Sequence, residues 1–213
     1  MELLKKEKQI KNKRYSLIIF LGIFLLLLGI SYNIYNHYQQ KKQDSVDNEK
    51  VEEFFEIREE KNSDEEVSVE TPTVKGETDN YIGVLEIPKI NLKKGIVDKT
   101  SASNNVNKNI YTLKETTLPD EQINSHIILA GHSGNSYVAF FRNLKKLDMK
   151  DKVYFYYKGV KYIYEVSNKY EIEKTGTTEL KQTNISDITL ITCISGTNKQ
   201  VVYVATLIDQ ENY

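Results

Sequence analysis

The sequence of 213 residues predicts an all-β domain, an eight-stranded β-barrel with one or two short helices, preceded by an N-terminal transmembrane helix. Three observations predict this class. A long apolar segment lies near the N-terminus, and an acidic segment of low hydrophobicity follows it. The remainder contains many short runs rich in Val, Ile, Thr and Tyr, which favour strands, but only one run with a helical period.

The apolar segment predicts a transmembrane anchor over residues 15–35. Residues 17–30 are apolar apart from two glycines. A helix of 21 residues is about 31 Å long, close to the thickness of the hydrocarbon core of a bilayer. A cleaved signal peptide is the alternative, but the following Ser31-Tyr32-Asn33 has no small-residue cleavage pattern. We therefore expect an uncleaved anchor.

The charges beside the anchor predict its orientation. Residues 1–14 carry six Lys or Arg, whereas only Lys41 and Lys42 follow the span closely. Basic segments stay on the cytoplasmic side. The pattern predicts a basic cytoplasmic tail over residues 1–14 and places everything beyond the anchor outside the cell, on a single-pass protein of the cell membrane.

The acidic segment predicts a flexible spacer over residues 36–79. Within it, residues 44–79 contain 14 acidic and four basic side chains, a net charge of −10. Such a composition buries too little apolar surface to offset the entropy lost on ordering. A transient helix over residues 51–61 is the only local structure that we expect there.

Residues 80–213 are long enough for one domain with its own core. Their net charge of +3 does not indicate a partner nucleic acid. The predicted strands lie at 81–87, 90–92, 110–113, 126–130, 153–157, 162–166, 189–193 and 201–208. Lys158-Gly159 predicts a hairpin turn. One apolar face with a 3.6-residue period, formed by Val138, Phe141, Leu144 and Leu147, predicts a helix.

Cys193 and His132 are the candidates for chemistry. Cys193 is the only cysteine, so it cannot form an internal disulfide, and a thiolate is a strong nucleophile. The alternative is a buried thiol that acts as a small hydrophobe. His132 leaves a predicted strand into a polar loop, which suits a proton-transferring imidazole. His126 begins the same strand and is expected to be structural.

Three motifs resemble one known family. Residues 189–193 read Thr-Leu-Ile-Thr-Cys, residues 129–132 read Leu-Ala-Gly-His before Phe-Phe-Arg-Asn-Leu at 140–144, and residues 81–90 read Tyr-Ile-Gly-Val-Leu-Glu-Ile-Pro-Lys-Ile. Together, and in their order along the chain, the three motifs resemble those of sortases. Sortases are the membrane-anchored cysteine transpeptidases (thiol proteases that also transfer acyl groups) of Gram-positive bacteria. The resemblance covers residues 80–210 and implies the sortase barrel.

The resemblance also implies an activity and its partners. A sortase cuts an LPxTG-like sorting signal after Thr and transfers the acyl group to an amine of the cell wall or of a pilin. Cys193 would form the thioacyl intermediate, and His132 would protonate the leaving amine and then accept a proton from the incoming one. The chemistry needs no cofactor.

One departure from the family pattern concerns an arginine that binds the substrate carbonyl and the oxyanion. The corresponding position holds Gln200, with Lys199 beside it. Three interpretations are open: Lys199 supplies the positive charge of the arginine, Gln200 donates neutral hydrogen bonds, or the site is impaired. The backbone of Thr192 is a further candidate to border the oxyanion. The impaired case predicts an anchored β-domain that binds sorting peptides or wall polymer.

The substrate pocket and a metal site are weakly indicated. Ile172, Leu180 and Ile185 line an apolar pocket or belong to a loop core. Glu115, Asp120 and Glu121 are similar to a carboxylate cluster that binds calcium in some sortases, but a solvated loop is the favoured interpretation, and no metal is expected. A cysteine protease is the hydrolytic limit of the same site, whereas an L,D-transpeptidase would need a Ser-His-Gly-Cys stretch that this sequence lacks.

Overall fold

The computed structural model describes residues 2–61, 81–175 and 184–213, which form one long helix and eight strands. The elements are α1 (Glu2–Lys61), β1 (Tyr81–Ile87), β2 (Leu92–Val97), β3 (Tyr111–Thr112), β4 (His126–Gly131), β5 (Lys152–Tyr157), β6 (Val160–Glu173), β7 (Asp187–Cys193) and β8 (Lys199–Asn212). Two short 3-10 turns are Pro88–Ile90 and Leu144–Lys146. The chain divides into two compact units, Met1–Gln43 and Asp44–Tyr213.

The first unit is the N-terminal part of α1. Within it, Tyr15–Lys42 is long and apolar enough to cross a membrane, and none of the residues in its most apolar part is buried. A helix satisfies its own backbone polar groups, which a bilayer core requires. The segment is a candidate membrane anchor, and it extends to Lys42, beyond the predicted end at residue 35.

The second unit contains the predicted eight-stranded barrel, which the structure confirms. The strand order is β2-β1-β5-β6-β8-β7-β4-β3. All neighbouring pairs are antiparallel except β4 and β7, which are parallel. The two end strands approach each other, since the Thr112 hydroxyl on β3 donates to the Val97 carbonyl on β2 at 3.0 Å. The barrel is therefore nearly closed.

Side chains that point inward at alternate positions of the strands fill the interior of the barrel. On β5, every second residue is buried, as expected for a strand with one face on a core. The buried core includes Leu85, Ile87, Ile96, Ile127, Leu129, Phe141, Leu144, Phe155, Tyr164, Ile188, Leu190 and Tyr203. Burial of these apolar side chains is the main stabilising contribution to the barrel.

The turn between β5 and β6 is the predicted two-residue hairpin. Tyr157 pairs with Val160, and the two residues between them have positive φ angles, 46° at Lys158 and 81° at Gly159. Positive φ at both central positions matches the right-handed twist of the flanking strands.

The predicted helical segment over residues 138–147 is present as 3-10 turns rather than as an α-helix. Its apolar residues are buried as expected, but the backbone turns through bonds of the three-residue kind, such as Leu144 N–H to the Phe141 carbonyl at 3.0 Å. Only Leu144–Lys146 forms a regular 3-10 turn. Four buried residues at spacings of three fit 3-10 turns as well as they fit an α-helix.

Residues 36–61 differ from the predicted spacer because α1 continues through them. Val51 is buried at 3% exposure, and the Phe55 ring packs edge-on against Tyr156 at 5.1 Å and Tyr213 at 5.3 Å between centroids. The Lys93 ammonium lies 4.5 Å from the centre of the Phe55 ring. Residues four apart share a helix face, so Val51 and Phe55 lie on the same side of α1. Residues 62–79 of the predicted spacer lie outside the described residues.

Candidate active site

Parallel pairing of β4 and β7 brings the two predicted catalytic residues to one edge of the barrel. The pairing runs from His126 opposite Asp187 to Gly131 opposite Thr192. His132 directly follows β4, and Cys193 ends β7. Neighbouring strands lie about 4.8 Å apart, so the two residues leave adjacent strands at the same level.

Two threonine hydroxyls bind β7 to β4, one near each end of the pairing. The buried Thr192 hydroxyl donates to the Gly131 carbonyl at 2.7 Å. The Thr189 hydroxyl lies 2.7 Å from His126 Nε2. These bonds fix the positions of the residues that precede the candidate catalytic pair. The Thr192 side chain therefore has a structural role, because its hydroxyl is bonded to the backbone of β4.

His132 is held on its backbone and on its ring. Its carbonyl accepts a hydrogen bond from Phe141 N–H at 3.0 Å, which closes the loop that follows β4. A Cβ on Gly131 would lie 2.9 Å from the Phe141 ring, so glycine is required for this close approach. His132 Nε2 lies 3.1 Å from the side-chain oxygen of Asn107. The imidazole is partly exposed and remains open to a ligand.

The single arginine after residue 80, Arg142, supports the same loop. Its guanidinium donates to the Ser136 carbonyl at 2.7 Å and to the Ala139 carbonyl at 3.3 Å. These bonds to two backbone carbonyls stabilise the turn between His132 and the 3-10 turn. These bonds give Arg142 a structural role in this loop.

Cys193 is a free, partly exposed thiol on the outer face of the barrel. Ile188 and Leu190 belong to the barrel core, whereas Ile191 belongs to a second apolar cluster. Side chains alternate along a strand, so Cys193 shares the face of Ile191. The thiol is therefore not sealed inside the protein.

The second cluster forms an apolar strip beside Cys193, here called the outer apolar strip. Its buried centre is Ile128 on β4, Ile191 on β7 and Val202 on β8. Partly buried side chains extend it, namely Leu113, Ala130, Tyr170, Ile172 and Val204. An apolar strip next to a candidate nucleophile is suited to hold an extended apolar peptide.

Gln200, rather than Lys199, lies on the face of Cys193. Gln200 is directly opposite Cys193 in the β7–β8 register. Directly opposed residues have Cβ atoms about 5 Å apart. Lys199 precedes it on the other face and pairs with Glu171 at 3.2 Å, where both side chains are about half exposed.

His126 has a structural environment, as the sequence predicts. It is buried at 7% exposure, and its ring contacts Thr189. Burial lowers the pKa of His126 below its ordinary value, and the nearby Asp187 opposes this effect only in part. The ring is thus held in its neutral form inside the sheet.

The other predicted residues divide between different environments. Ile172 joins the outer apolar strip, Ile185 is 54% exposed, and Leu180 lies outside the described residues. Asp120 accepts a hydrogen bond from the Tyr157 hydroxyl at 2.6 Å and pairs with Lys158, whereas Glu121 accepts from Leu118 N–H. The Glu115 carboxylate oxygen Oε1 lies 3.8 Å from the ammonium nitrogen of Lys114. Within the described ranges no group of three His, Cys, Asp or Glu side chains is placed to hold a metal ion.

Sequence reasoning missed Asn107 and most of the outer apolar strip. Asn107 lies in an asparagine-rich loop, and nothing in its local pattern shows that it reaches His132. The strip had a signal, because β7 and β8 are apolar at consecutive positions, which indicates burial on both faces.

Comparisons with known proteins agree with this architecture. The family model described as "Sortase domain" matches residues 85–208. Sortase D of Bacillus subtilis (strain 168) is 31% identical over 120 residues, 56% of this chain and 57% of the relative. Sortase A of Bacillus anthracis is 28% identical over 123 residues, 58% of this chain and 57% of the relative. The chain thus matches a little over half the length of each relative.

Solved structures are similar over the barrel. The Sortase D5 transpeptidase of Clostridium perfringens has a TM-score of 0.57 and 24% identity, covering 78% of this chain and 99% of that one. Sortase A of Corynebacterium diphtheriae has a TM-score of 0.55 and 25% identity, covering 62% of each chain. Since the family model spans more than half of the chain, and its fold is the eight-stranded barrel found in these structures, the chain belongs to the sortase family.

Proposed function

We propose that this chain is a cysteine transpeptidase that cleaves an LPxTG-like sorting signal and joins the released protein to a cell-wall amine. One observation carries the proposal. The β4–β7 register places a partly exposed thiol and a partly exposed imidazole on adjacent strand ends, beside the outer apolar strip. Membership of the sortase family supports a transpeptidase role in general.

The proposed reaction has two halves. The Cys193 thiolate attacks the carbonyl carbon of the signal threonine, and the bond to the following nitrogen breaks as His132 gives its proton to the leaving amine. A thioester then links the substrate to Sγ. An incoming amine attacks this thioester and gives a proton to His132, and the carbon–sulfur bond breaks to restore the thiolate. The stored thioester lets an amine compete with water without an external energy source.

Gln200 is the proposed side-chain donor to the oxyanion. Its position opposite Cys193 supports this role, because the side chains of the two residues share one face of β7 and β8. Lys199 is paired with Glu171 on the other face, and the Thr192 hydroxyl is bound to Gly131. The backbone beside Cys193 completes the proposed oxyanion environment.

The outer apolar strip is the proposed floor for the apolar residues of the signal. Ile191 lies two residues before Cys193 on the same face, so a peptide bound along β7 would present its scissile carbonyl to the thiol. The apolar helix segment Tyr15–Lys42 supports a membrane anchor, and the basic N-terminal tail supports a cytoplasmic N-terminus with an extracellular barrel.

The missing arginine favours a second candidate function. A neutral Gln200 provides less stabilisation of an oxyanion than a guanidinium does. The same strip and thiol would then belong to an anchored domain that binds sorting peptides or wall polymer without turnover. This alternative predicts peptide binding that survives Cys193→Ala and no acyl transfer by the unmodified chain.

The test uses the full chain in detergent micelles with a panel of LPxTG peptides, with and without oligoglycine amines. We expect mass spectrometry to detect the acyl mass on Cys193 and a ligated product when the amine is present. Cys193→Ala should abolish both signals, and His132→Gln should reduce product formation strongly. The absence of any Cys193 adduct across the whole panel would contradict the enzymatic proposal.

A further inference from the structure

Three exposed isoleucines lie at the end of the barrel opposite Cys193. Ile123 lies just before β4, Ile185 lies just before β7, and Ile208 lies on β8; these strands are neighbours in the order β8-β7-β4. Their exposed fractions are 97%, 54% and 51%. A single apolar side chain at a surface needs no explanation, but a contiguous exposed group indicates a contact with a partner or a membrane.

Hydrogen bonds of Ser186 hold the three isoleucines side by side. The Ser186 hydroxyl donates to the Ile123 carbonyl at 3.3 Å. The Ser186 carbonyl accepts from Leu207 N–H at 2.8 Å. Ser186 follows Ile185 directly, and Leu207 precedes Ile208, so the three side chains project from adjacent segments. They are here called the isoleucine row.

A β-bulge presents one member of the row to solvent. On β8, Leu207 pairs with Tyr164 whereas Asp209 pairs with Ile163, so Ile208 is the additional residue between them. Leu207 packs against the core, and the bulge interrupts the alternation that follows it. Bulges of this kind re-aim a side chain and are common next to functional surfaces.

The row belongs to the end of the barrel that carries the β5–β6 turn. The loop that leads to Ile123 reaches this turn, because Asp120 accepts a hydrogen bond from the Tyr157 hydroxyl at 2.6 Å. Asp120 also pairs with Lys158 in the turn itself. The candidate active site lies at the other end, where β7 ends.

The chain enters the second unit at this same end. Tyr81 begins β1 three residues before Val84, and Val84 pairs with Tyr156 next to the β5–β6 turn. Tyr81 is therefore level with the turn. The Lys50 ammonium on α1 lies 5.8 Å from the centre of the Tyr81 ring. The part of α1 that belongs to this unit thus meets the barrel beside the turn.

A bilayer is the surface within reach of this end. The candidate membrane segment Tyr15–Lys42 ends eight residues before Lys50. Eight residues span at most about 28 Å, so a bilayer that holds this segment lies within that distance of Lys50. A tether of this length gives the lipid surface a high effective concentration, and a small contact surface is then sufficient for docking.

Charges beside the row do not favour a polyanion or an anionic lipid. Asp120 pairs with Lys158, and the Glu121 carboxylate lies 3.9 Å from the Lys99 ammonium. The exposed Asp209 on β8 adds a further negative charge. The described surroundings are therefore weakly acidic. An apolar row in such surroundings fits insertion at the headgroup boundary of a bilayer, where apolar area rather than charge supplies the attraction.

We propose that the isoleucine row is a membrane-contact surface that inserts its side chains at the headgroup boundary of the bilayer. Cys193 follows Asp187 by six residues on β7, so the thiol lies about 20 Å from the row and remains clear of the lipid. The proposal rests on the candidate membrane segment and does not depend on the proposed transpeptidase reaction.

The test uses the full chain, with one copy in each nanodisc, a bimane probe and doxyl-labelled lipids that quench the probe on contact. Asn124→Cys on the Cys193→Ala background carries the probe beside the row. In a separate sample Cys193 carries the probe at the opposite end. We expect quenching at position 124 and none at Cys193. Equal quenching at both positions, or none at position 124, overturns the proposal.

Variants of the row separate insertion from proximity caused by the tether. Ile123→Asn and Ile208→Asn should each lower the docking equilibrium constant, measured from the quenched fraction, about tenfold, because burial of half an isoleucine side chain is worth a factor of this size. Ile123→Leu should retain the quenching. Met149→Asn is the matched control, since Met149 is 55% exposed and lies on the turn before β5. Row variants that lose no more quenching than Met149→Asn overturn the proposal.

Lipid composition and copy number test other occupants of the row. Quenching should be the same with and without phosphatidylglycerol, and at low and high salt, because the contact is apolar. Quenching that requires phosphatidylglycerol and disappears at high salt overturns the proposal in favour of a charged contact. Quenching that appears only in discs with two chains overturns it in favour of a second copy. An inactive chain that retains row-dependent quenching contradicts only the transpeptidase function.

Discussion

Replacement of Gln200 by arginine tests which group faces the oxyanion. Gln200 is directly opposite Cys193, whereas Lys199 is on the other face of β8 and pairs with Glu171. A guanidinium at position 200 would bring a fixed positive charge and several donors to the side of the thiol. Gln200→Arg should therefore accelerate acyl transfer.

The magnitude follows from the difference between neutral and charged hydrogen bonds. A neutral bond contributes about 1 kcal/mol net, and a bond to a charged group contributes about 1.5–3 kcal/mol. A gain of about 1–2 kcal/mol in the transition state corresponds to a 5- to 30-fold increase in kcat. Gln200→Ala removes the donor altogether and should lower kcat by about 100-fold.

The assay is the steady-state rate of ligation of an LPxTG peptide to oligoglycine by the full chain in micelles. Lys199→Ala is the control and should change kcat by less than about twofold, because its exposed ion pair contributes little. An Lys199→Ala loss equal to that of Gln200→Ala, or a slower Gln200→Arg enzyme, would refute the reasoning. Activity that appears only in Gln200→Arg would support the impaired alternative.

Three further predictions concern stability. Phe55→Ala should lower the free energy of unfolding of the barrel by about 1–3 kcal/mol in denaturant titrations, because it removes ring contacts to Tyr156, while the exposed Glu53→Ala should have little effect; equal effects would argue against helix packing. Thr192→Val should cost about 1–3 kcal/mol by leaving a buried carbonyl without its donor, and Thr192→Ser should retain most of the stability. Because burial lowers the pKa of His126 in the folded state, the unfolded chain takes up its proton first as the pH falls below 6.5, so stability should decrease from there downward; His126→Gln should flatten that pH dependence, and an unchanged slope would contradict the assignment.

The sequence was sufficient to predict most of the barrel, because strand periodicity is a local property. The predicted runs at β1, β4 and β5 agree with the observed strands to within one residue at each end, and the run at β7 begins two residues late. Strand β6 is longer than expected, since it begins at Val160 and extends to Glu173. The glycine after Lys158 predicts the two-residue turn, whereas the segment near Phe141 has an apolar spacing that does not distinguish 3-10 turns from an α-helix, because the two periods are close.

The packing of Phe55 on the barrel was not predictable in this way. Val51 and Phe55 are scarce apolar residues in an acidic segment, and composition alone indicates a solvated chain. The aromatic partners of Phe55, Tyr156 and Tyr213, lie about 100 and more residues away in sequence. A contact of this kind depends on which face the folded barrel presents.

The sequence by itself determined the chemical groups of the candidate site and the class of the fold, since a lone cysteine, a histidine at a strand end and apolar alternation are all local features. Only the tertiary structure decided which groups meet. The parallel β4–β7 register places His132 and Cys193 at adjacent strand ends, the β7–β8 register places Gln200 rather than Lys199 opposite Cys193, and the loop before β3 brings Asn107 to the imidazole. These choices depend on strand pairing and on side-chain alternation in three dimensions, because a shift of one residue in register would reverse every face.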